Sequence, residues 1–325
     1  MPFQGLAATG FTYFDFQNEA FLSSQLHLLA LKGNIENIRK VIQSGKVYVD
    51  TQDQEGTTAL ILACANNNFE CAKELLKHGA NPAARRVTGT SALYCAAQGG
   101  YLDIVNLLLE LGAPVNVANW DGGTPLMVAS QCNHSDVVKE LVAHGGNIEA
   151  KMLDKATPLF VAAQNGHTET VSLLVSLGAY VDAKRTDGAT PLWIACQMGH
   201  YGVVEKLIAH NAQIDCVNEF ISQDGATPLF KASHKGYLEL VELLVRNGAS
   251  LGLLKNGESC LHAAALFDHL KVVKFLISAG ADPDLRSQDG VTPLELAQEA
   301  QNAQVVNYLK RFSKERKLPD VQRSS

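Results

Sequence analysis

The chain has 325 residues, of which 46% are hydrophobic and 18% charged, and its formal net charge is −6 at pH 7. These values predict a folded globular protein and argue against a disordered chain, a collagen or a coiled coil. The acidic balance argues against nucleic acid as a partner, because a phosphate backbone is held by clustered positive charge.

Residues 1–23 are rich in aromatic side chains and contain no lysine or arginine, the first being Lys32. A secretory signal begins with basic residues and a mitochondrial transit peptide is rich in arginine. No apolar run in the sequence approaches the ~18 residues of a membrane span. We therefore expect a protein of the cytosol or nucleus, in which segment 1–23 is either an N-terminal cap on the folded domain or disordered.

A short phrase recurs along the chain at a nearly constant interval, which is the signature of a repeat protein. Thr-Pro-Leu occurs five times, and degenerate copies such as Thr58-Ala59-Leu60 and Ser24-Gln25-Leu26 fill the gaps. Most steps between successive copies are 33 residues long. The spacing predicts nine units over residues 24–312. Their marker leucines are Leu26, Leu60, Leu93, Leu126, Leu159, Leu192, Leu229, Leu261 and Leu294.

The sequence pattern of each unit predicts two helices and a turn. The Thr or Ser of the phrase suits a helix N-cap, and Pro suits the first helical position. A second helix carries apolar residues at helical spacing, such as Val203, Val204 and Leu207. Gly-Ala pairs such as Gly79-Ala80 suit its C-terminal end, and Asp-Gly pairs such as Asp121-Gly122 suit a turn.

The Thr-Pro-Leu phrase with a following alanine, the 33-residue period and the Gly-Ala endings resemble the ankyrin repeat. The resemblance implies an all-α repeat protein, an α-solenoid of about nine helix-turn-helix units with β-hairpin fingers and a concave binding face. It also implies a module that binds other proteins and carries out no chemistry. Asn116 resembles the arm asparagine that is hydroxylated in many members of the family, which predicts a modification there.

The residue types that usually carry chemistry fall at structural positions of the repeat. Most of the ten histidines occupy recurring helix ends and turns, and His234 is the exception. The seven cysteines include no Cys-x-x-Cys pair, which favours reduced thiols over disulfides or a zinc site. The sequence has no nucleophile elbow, phosphate loop or dinucleotide fingerprint. We therefore predict no enzyme activity, cofactor, metal site or catalytic residue.

Four units in succession place a glutamine after the alanines of the first helix. At this spacing the amides form a ladder along the concave face that can bind an extended peptide. The alternative is that glutamine is simply a good helix former on a solvated face. The four residues are Gln98, Gln131, Gln164 and Gln197.

Large apolar side chains follow the marker leucine where the family usually has histidine. We interpret them as packing between repeats in preference to lining a ligand groove. The loss of histidine also places the usual hydrogen bonds between neighbouring loops in doubt for these units. The residues are Tyr94, Met127, Phe160, Trp193 and Phe230.

One step of 37 residues lengthens the finger between Asn211 and Asp224. Exposed apolar groups on this finger, the next finger and nearby first helices would form a patch typical of an interface. The alternative is that the long finger folds back over its neighbour. The candidate residues, with Trp120 at another fingertip, are Met198, Phe220, Ile221, Leu253, Leu254, Leu266 and Phe267.

Several fingertips are basic, which indicates either a preference for acidic peptides or ordinary solvated charge; they carry Arg85, Arg86, Lys184, Arg185 and Arg286. Residues 313–325 form a basic tail that we expect to be disordered. The sequence as a whole predicts a monomeric, non-catalytic scaffold or adaptor for a protein or peptide. The alternative function is a regulatory or targeting subunit of an enzyme complex.

Overall fold

The computed structural model describes residues 13–217, 225–255 and 257–316. This part of the chain contains eighteen α-helices and no β-strand. The helices are α1 (Tyr13–Lys32), α2 (Ile35–Gln43), α3 (Ala59–Ala65), α4 (Phe69–Lys77), α5 (Ala92–Gly99), α6 (Leu102–Glu110), α7 (Pro125–Gln131), α8 (Ser135–Ala143), α9 (Pro158–Gln164), α10 (Thr168–Ser176), α11 (Pro191–Met198), α12 (Tyr201–Ala209), α13 (Pro228–Lys235), α14 (Leu238–Arg246), α15 (Cys260–Leu266), α16 (Leu270–Ser278), α17 (Pro293–Glu299) and α18 (Ala303–Arg316). The predicted all-helical repeat architecture is confirmed.

The described residues fall into two compact units that divide between Leu153 and Asp154. Unit 1 contains α1 to α8, and unit 2 contains α9 to α18. Within each unit the odd-numbered helices pack against one another in chain order, and each even-numbered helix packs against the odd-numbered helix before it. A repeat in this arrangement buries its apolar face against its neighbours.

The predicted N-caps are present at every odd-numbered helix from α3 onward. In each case the Thr or Ser Oγ accepts a hydrogen bond from the backbone N–H three residues later, as Thr157 does from Phe160 at 3.3 Å. Ser259 and Thr292 complete capping boxes with His262 and Glu295. The capping residues are Thr58, Ser91, Thr124, Thr157, Thr190, Thr227, Ser259 and Thr292.

The first copy of the phrase is different, because Ser24 lies inside α1 and does not cap it. Its hydroxyl donates to the carbonyl of Ala20, four residues earlier, at 3.0 Å. No proline follows Ser24, and residues 19–22 are compatible with a helix, so α1 continues through the position where the other units begin. Residues 1–12 of the predicted N-terminal segment lie outside the described residues.

The second helices have the predicted apolar face and the predicted ending. Val203, Val204 and Leu207 of α12 are buried. The glycine after each such helix has a positive φ, for example +86° at Gly79, and Asn211 takes the same left-handed conformation at +63°. This conformation costs glycine nothing and asparagine little, which explains both choices.

Tight turns connect successive repeats, and the β-hairpin prediction is not confirmed. In one turn the N–H of Asn119 donates to the carbonyl of Gly123 at 2.9 Å, and the N–H of Gly122 donates to that of Asn119 at 3.0 Å. The next helix is capped by Thr124, immediately after the turn, so the chain has no room for a longer ladder. In the described residues the one isolated β-bridge joins Arg85 and Ser91.

Candidate protein-binding surface

The four predicted glutamines lie at or next to the C-terminal ends of first helices. Gln98 and Gln131 in unit 1 are exposed, and Gln164 and Gln197 in unit 2 are half-buried. Each occupies the last turn of its helix, at the same position in its repeat. Their use as a peptide-binding ladder stays a prediction.

Histidines in the turn between the helices of a repeat bond to the preceding repeat through its backbone. The Nε2 of His134 donates to the carbonyl of Gln98, and the Nε2 of His200 donates to that of Gln164, both at 3.0 Å. His269 makes the same contact with the carbonyl of His234. The first two of these bonds fix the helix ends that carry Gln98 and Gln164. Their donors were recognisable in the sequence as recurring turn residues, but their acceptors belong to another repeat.

The apolar residues after the marker leucine are buried or half-buried, which agrees with the predicted packing between repeats in preference to an open ligand groove. Met127, Phe160, Trp193 and Phe230 are buried, and Tyr94 is half-buried. At Trp193 a hydrogen bond to the neighbouring loop is present although the histidine is missing. The indole Nε1 of Trp193 donates to the carbonyl of Ala226 at 2.8 Å.

The carbonyl group that accepts the hydrogen bond from Trp193 is equivalent to one that accepts a hydrogen bond from a histidine in a later repeat. The Nε2 of His262 donates to the carbonyl of Val291 at 3.0 Å. Ala226 and Val291 each precede the capping threonine of the following repeat. A tryptophan N–H therefore supplies the loop contact that the missing histidine would have made.

The predicted apolar patch is only partly an open surface. Met198, Leu253, Leu266 and Phe267 are exposed. Leu254 is half-buried instead, because it packs against a buried cluster of Ala226, Phe230 and Ala263. Phe220 and Ile221 of the long finger lie outside the described residues.

Phe267 contacts His234, the one histidine that did not fit a recurring position. Their ring centroids are 4.1 Å apart. Burial lowers the pKa of His234, and the positive charges of Lys231 and Lys235 lower it further. The ring is therefore neutral at physiological pH, and its Nδ1 is buried without a hydrogen-bond partner.

Trp120 lies on a turn tip as predicted, and it is one of three exposed apolar side chains at equivalent positions. Val87, Trp120 and Leu153 follow one another at 33-residue intervals in unit 1. Their side chains are 45%, 70% and 77% exposed. We call these three residues the apolar row. Sequence reasoning noticed Trp120 alone, although the repeat spacing marks all three.

Backbone hydrogen bonds between neighbouring turns hold the apolar row in register. The N–H of Trp120 donates to the carbonyl of Thr88, and the N–H of Leu153 donates to that of Asp121, both at 3.0 Å. The N–H of Val87 makes the equivalent bond to Glu55 at 2.8 Å. The turns therefore present these side chains on a rigid frame.

A small basic cavity lies in unit 2 that sequence reasoning did not predict, although it singled out Arg185, Trp193, Gln197 and His234 for other reasons. Its volume is about 250 Å³. The side chains that line it come from the turn before α11, from α11 and from α13, so residues far apart in the sequence meet there. They are Arg185, Trp193, Ile194, Gln197, Lys231, His234 and Lys235.

A metal site would be built from histidine, cysteine and acidic side chains. In the described ranges no group of three or more His, Cys, Asp or Glu side chains is placed to hold a metal ion. The seven cysteines are free thiols, and burial raises the pKa of Cys95 and Cys216 to about 11 and that of Cys260 to about 12. Such thiols are poor nucleophiles. Among the described helices, none combines the length and apolar character required to cross a membrane.

Comparison with known proteins points to one family. The family profile described as Ankyrin repeats (3 copies) matches the chain in overlapping segments at residues 26–119, 88–152, 126–218, 177–254, 210–287 and 251–318.

Curated relatives are similar over shorter stretches. The chain is 41% identical over 66 residues to Ankyrin repeat domain-containing protein 29 of Danio rerio, which covers 20% of this chain and 22% of the relative. It is 53% identical over 47 residues to the human protein of that name, covering 14% and 16% of the two chains. It is 32% identical over 82 residues to a putative ankyrin repeat protein of Rickettsia bellii, covering 24% and 48%. The matches therefore span less than half the length of each of these relatives.

Proposed function

The chain belongs to the ankyrin-repeat family, and we propose that it is a non-catalytic scaffold or adaptor that binds a partner protein or peptide. Ankyrin repeats generally serve as protein–protein interaction modules. We further propose that residues 24–312 form the binding domain of nine repeats and that the protein acts as a monomer in the cytosol or nucleus. Support for the compartment comes from the free thiols, since reduced cysteines are typical of those environments.

The observation that carries the proposal is the apolar row in unit 1. An indole that is 70% exposed has no core to stabilise, and neither has the Leu153 side chain at 77%. Tryptophan is among the residues that contribute most to binding at protein interfaces. The bonds between the turns hold the row rigid, so little conformational entropy is lost when a partner covers it.

The experiment compares partner capture by the full chain and by a Trp120→Ser/Leu153→Ser variant, using proximity labelling in cells and pull-down from extracts. We expect the variant to lose partners that the wild type retains, because both hydroxyl side chains remove apolar contact area. A Leu111→Ser/Leu177→Ser variant is the control, since these exposed leucines follow the second helices α6 and α10.

Thermal unfolding of the Trp120→Ser/Leu153→Ser variant should match that of the wild type, because both side chains are largely exposed. The control changes leucines that are 51% and 38% exposed, so its melting temperature is measured before its partners are compared. If every partner survives the Trp120→Ser/Leu153→Ser change, the apolar row does not bind partners. Capture of an enzyme whose activity changes with the chain bound would favour the alternative function, a regulatory or targeting subunit.

A further inference from the structure

The cationic side chains that line the basic cavity of unit 2 differ in whether their charge is already paired within the protein. Arg185 forms a two-bonded ion pair with Asp187, in which its Nε lies 3.0 Å from a carboxylate oxygen. Its guanidinium also lies 4.9 Å from the centroid of the Phe160 ring. The charge of Arg185 is therefore largely matched inside the repeat.

Lys231 is positioned but not neutralised. Its Nζ lies 5.3 Å from the centroid of the Trp193 ring and 6.0 Å from that of Phe230. Among the ion pairs of the described residues, none includes Lys231. A lysine ammonium has three N–H donors, and two aromatic faces restrict its movement without satisfying them.

Lys235 stands one helical turn after Lys231 on α13 and lines the same cavity. Like charges four residues apart on a helix repel each other. The same field lowers the pKa of His234, which lies between them in the sequence. Nearby acids are Asp187, already paired with Arg185, and Glu258, whose charge acts on His234 in the opposite direction. A bound anion would remove the repulsion between the two lysines.

The size of the cavity and the charge of the chain limit what that anion is. A volume of about 250 Å³ is below the range of about 300–1,000 Å³ typical of small-molecule pockets, and it suits one side chain. The formal net charge of −6 gives no long-range attraction for a polyanion. At physiological salt charges interact only within about 8 Å, so recognition depends on contact with the two lysines.

We propose that this cavity binds the carboxylate of one aspartate or glutamate side chain in a peptide segment of the partner, with Lys231 and Lys235 as the pairing cations. The proposal rests on the proposed function. Gln197 also lines the cavity and offers an amide to the backbone of the same peptide, and the Trp193 ring lies against the Lys231 ammonium group. The carboxylate would gain charge-assisted hydrogen bonds at a site where Lys231, among the described residues, has aromatic contacts and no ion pair.

The test is selection of a random twelve-residue peptide library displayed on phage against the full chain. Parallel selections use a Lys231→Gln/Lys235→Gln variant and a Lys206→Gln/Lys271→Gln control, whose lysines are exposed on α12 and α16 of the same unit. Both variants lose the same charge. We expect the wild type and the control to enrich peptides with Asp or Glu at one fixed position, and the cavity variant to lose that enrichment.

Fluorescence anisotropy with the most enriched peptide then measures how far the contribution of its acidic residue depends on Lys231 and Lys235. Replacing its acidic residue with the corresponding amide should weaken binding to the wild type by about fivefold to tenfold, as for a partly exposed charged hydrogen bond. The same change should have no effect on binding to the Lys231→Gln/Lys235→Gln variant. A Lys231→Arg/Lys235→Arg variant should keep the acidic preference, because it keeps both charges.

The outcomes separate the two proposals. If the wild type enriches no peptide, the cavity proposal fails, whereas the proposed function fails only if the full chain captures no partner in the labelling and pull-down experiment. If peptides are enriched without an acidic position, or if the acidic preference persists in the Gln variant, the cavity proposal alone is overturned. Circular dichroism melting curves establish that each variant is folded before its selection is read.

Discussion

The indole of Trp193 makes a hydrogen bond whose removal should have a measurable cost. Trp193 is 4% exposed, and its Nε1 lies 2.8 Å from the carbonyl oxygen of Ala226, which is buried. Trp193→Phe keeps an aromatic ring but removes the donor. The carbonyl then stays buried without that partner, which costs about 1–3 kcal/mol. The smaller ring adds roughly 1 kcal/mol of lost apolar burial, so we expect a total near 3 kcal/mol.

Hydrogen exchange is the suitable assay, because a repeat protein opens locally and a single global transition is not assured. The amides of α11 and α13 should exchange about 100-fold faster in Trp193→Phe, since each 1.4 kcal/mol corresponds to tenfold in the opening equilibrium. Urea unfolding followed by circular dichroism should show a midpoint lower by about 1 M or more for the transition that includes unit 2.

The control for Trp193→Phe is the same substitution at the other of the chain's two tryptophans, Trp120. The Trp120 side chain is 70% exposed, so Trp120→Phe should change stability by no more than about 0.5 kcal/mol. Equal protection of α11 and α13 in wild type and Trp193→Phe would refute the claim that the indole replaces the missing histidine.

Three further predictions concern stability and reactivity. Burial lowers the pKa of His262 below its unfolded value of about 6.5, so the unfolded chain binds more protons than the folded chain. The free energy of unfolding should therefore fall as pH drops from 7.5 to 5.5. In urea titrations, His262→Gln should make this pH dependence less steep. Gly56→Ala should lower the free energy of unfolding by about 2 kcal/mol, because φ is +72° and the added Cβ would lie 3.2 Å from a backbone nitrogen. Gly45→Ala should lower it by about 1 kcal/mol, because φ is similar at +66° but the Cβ would meet open space. Equal losses in thermal unfolding would contradict the role of the contact at Gly56. At pH 8 the half-buried thiol of Cys132 should react with Ellman's reagent at least tenfold faster than Cys260, whose pKa is raised to about 12, and equal rates in the native protein would show that burial does not protect Cys260.

The helices, their caps and their endings were predictable because each depends on a few neighbouring residues and recurs every 33 positions. Thr157 caps α9 as its hydroxyl and the following proline indicate. Ser24 shows the limit of this reasoning, since the same residue type without a proline lies inside a helix. Local signals are reliable where several of them agree.

The binding surface was less predictable because it joins positions that differ from repeat to repeat. Leu254 belongs to an apolar finger by its sequence, but it packs against Phe230 and Ala263 and is half-buried. The basic cavity combines Arg185, from the turn before α11, with Lys231 on α13. Comparing equivalent positions of the repeat reveals a row such as Val87, Trp120 and Leu153. It does not reveal a site whose members hold different positions.

Trp193 also determines how the cavity can be tested. The same ring donates to the carbonyl of Ala226, fills the core and supports the Nζ of Lys231. A substitution at Trp193 therefore changes stability and cavity shape together, and a loss of peptide binding would have two explanations. Lys231 and Lys235 contribute charge at the cavity without being buried in the core. Because binding and stability depend on different side chains here, a change in peptide preference in the lysine variants at unchanged melting temperature reports on recognition itself.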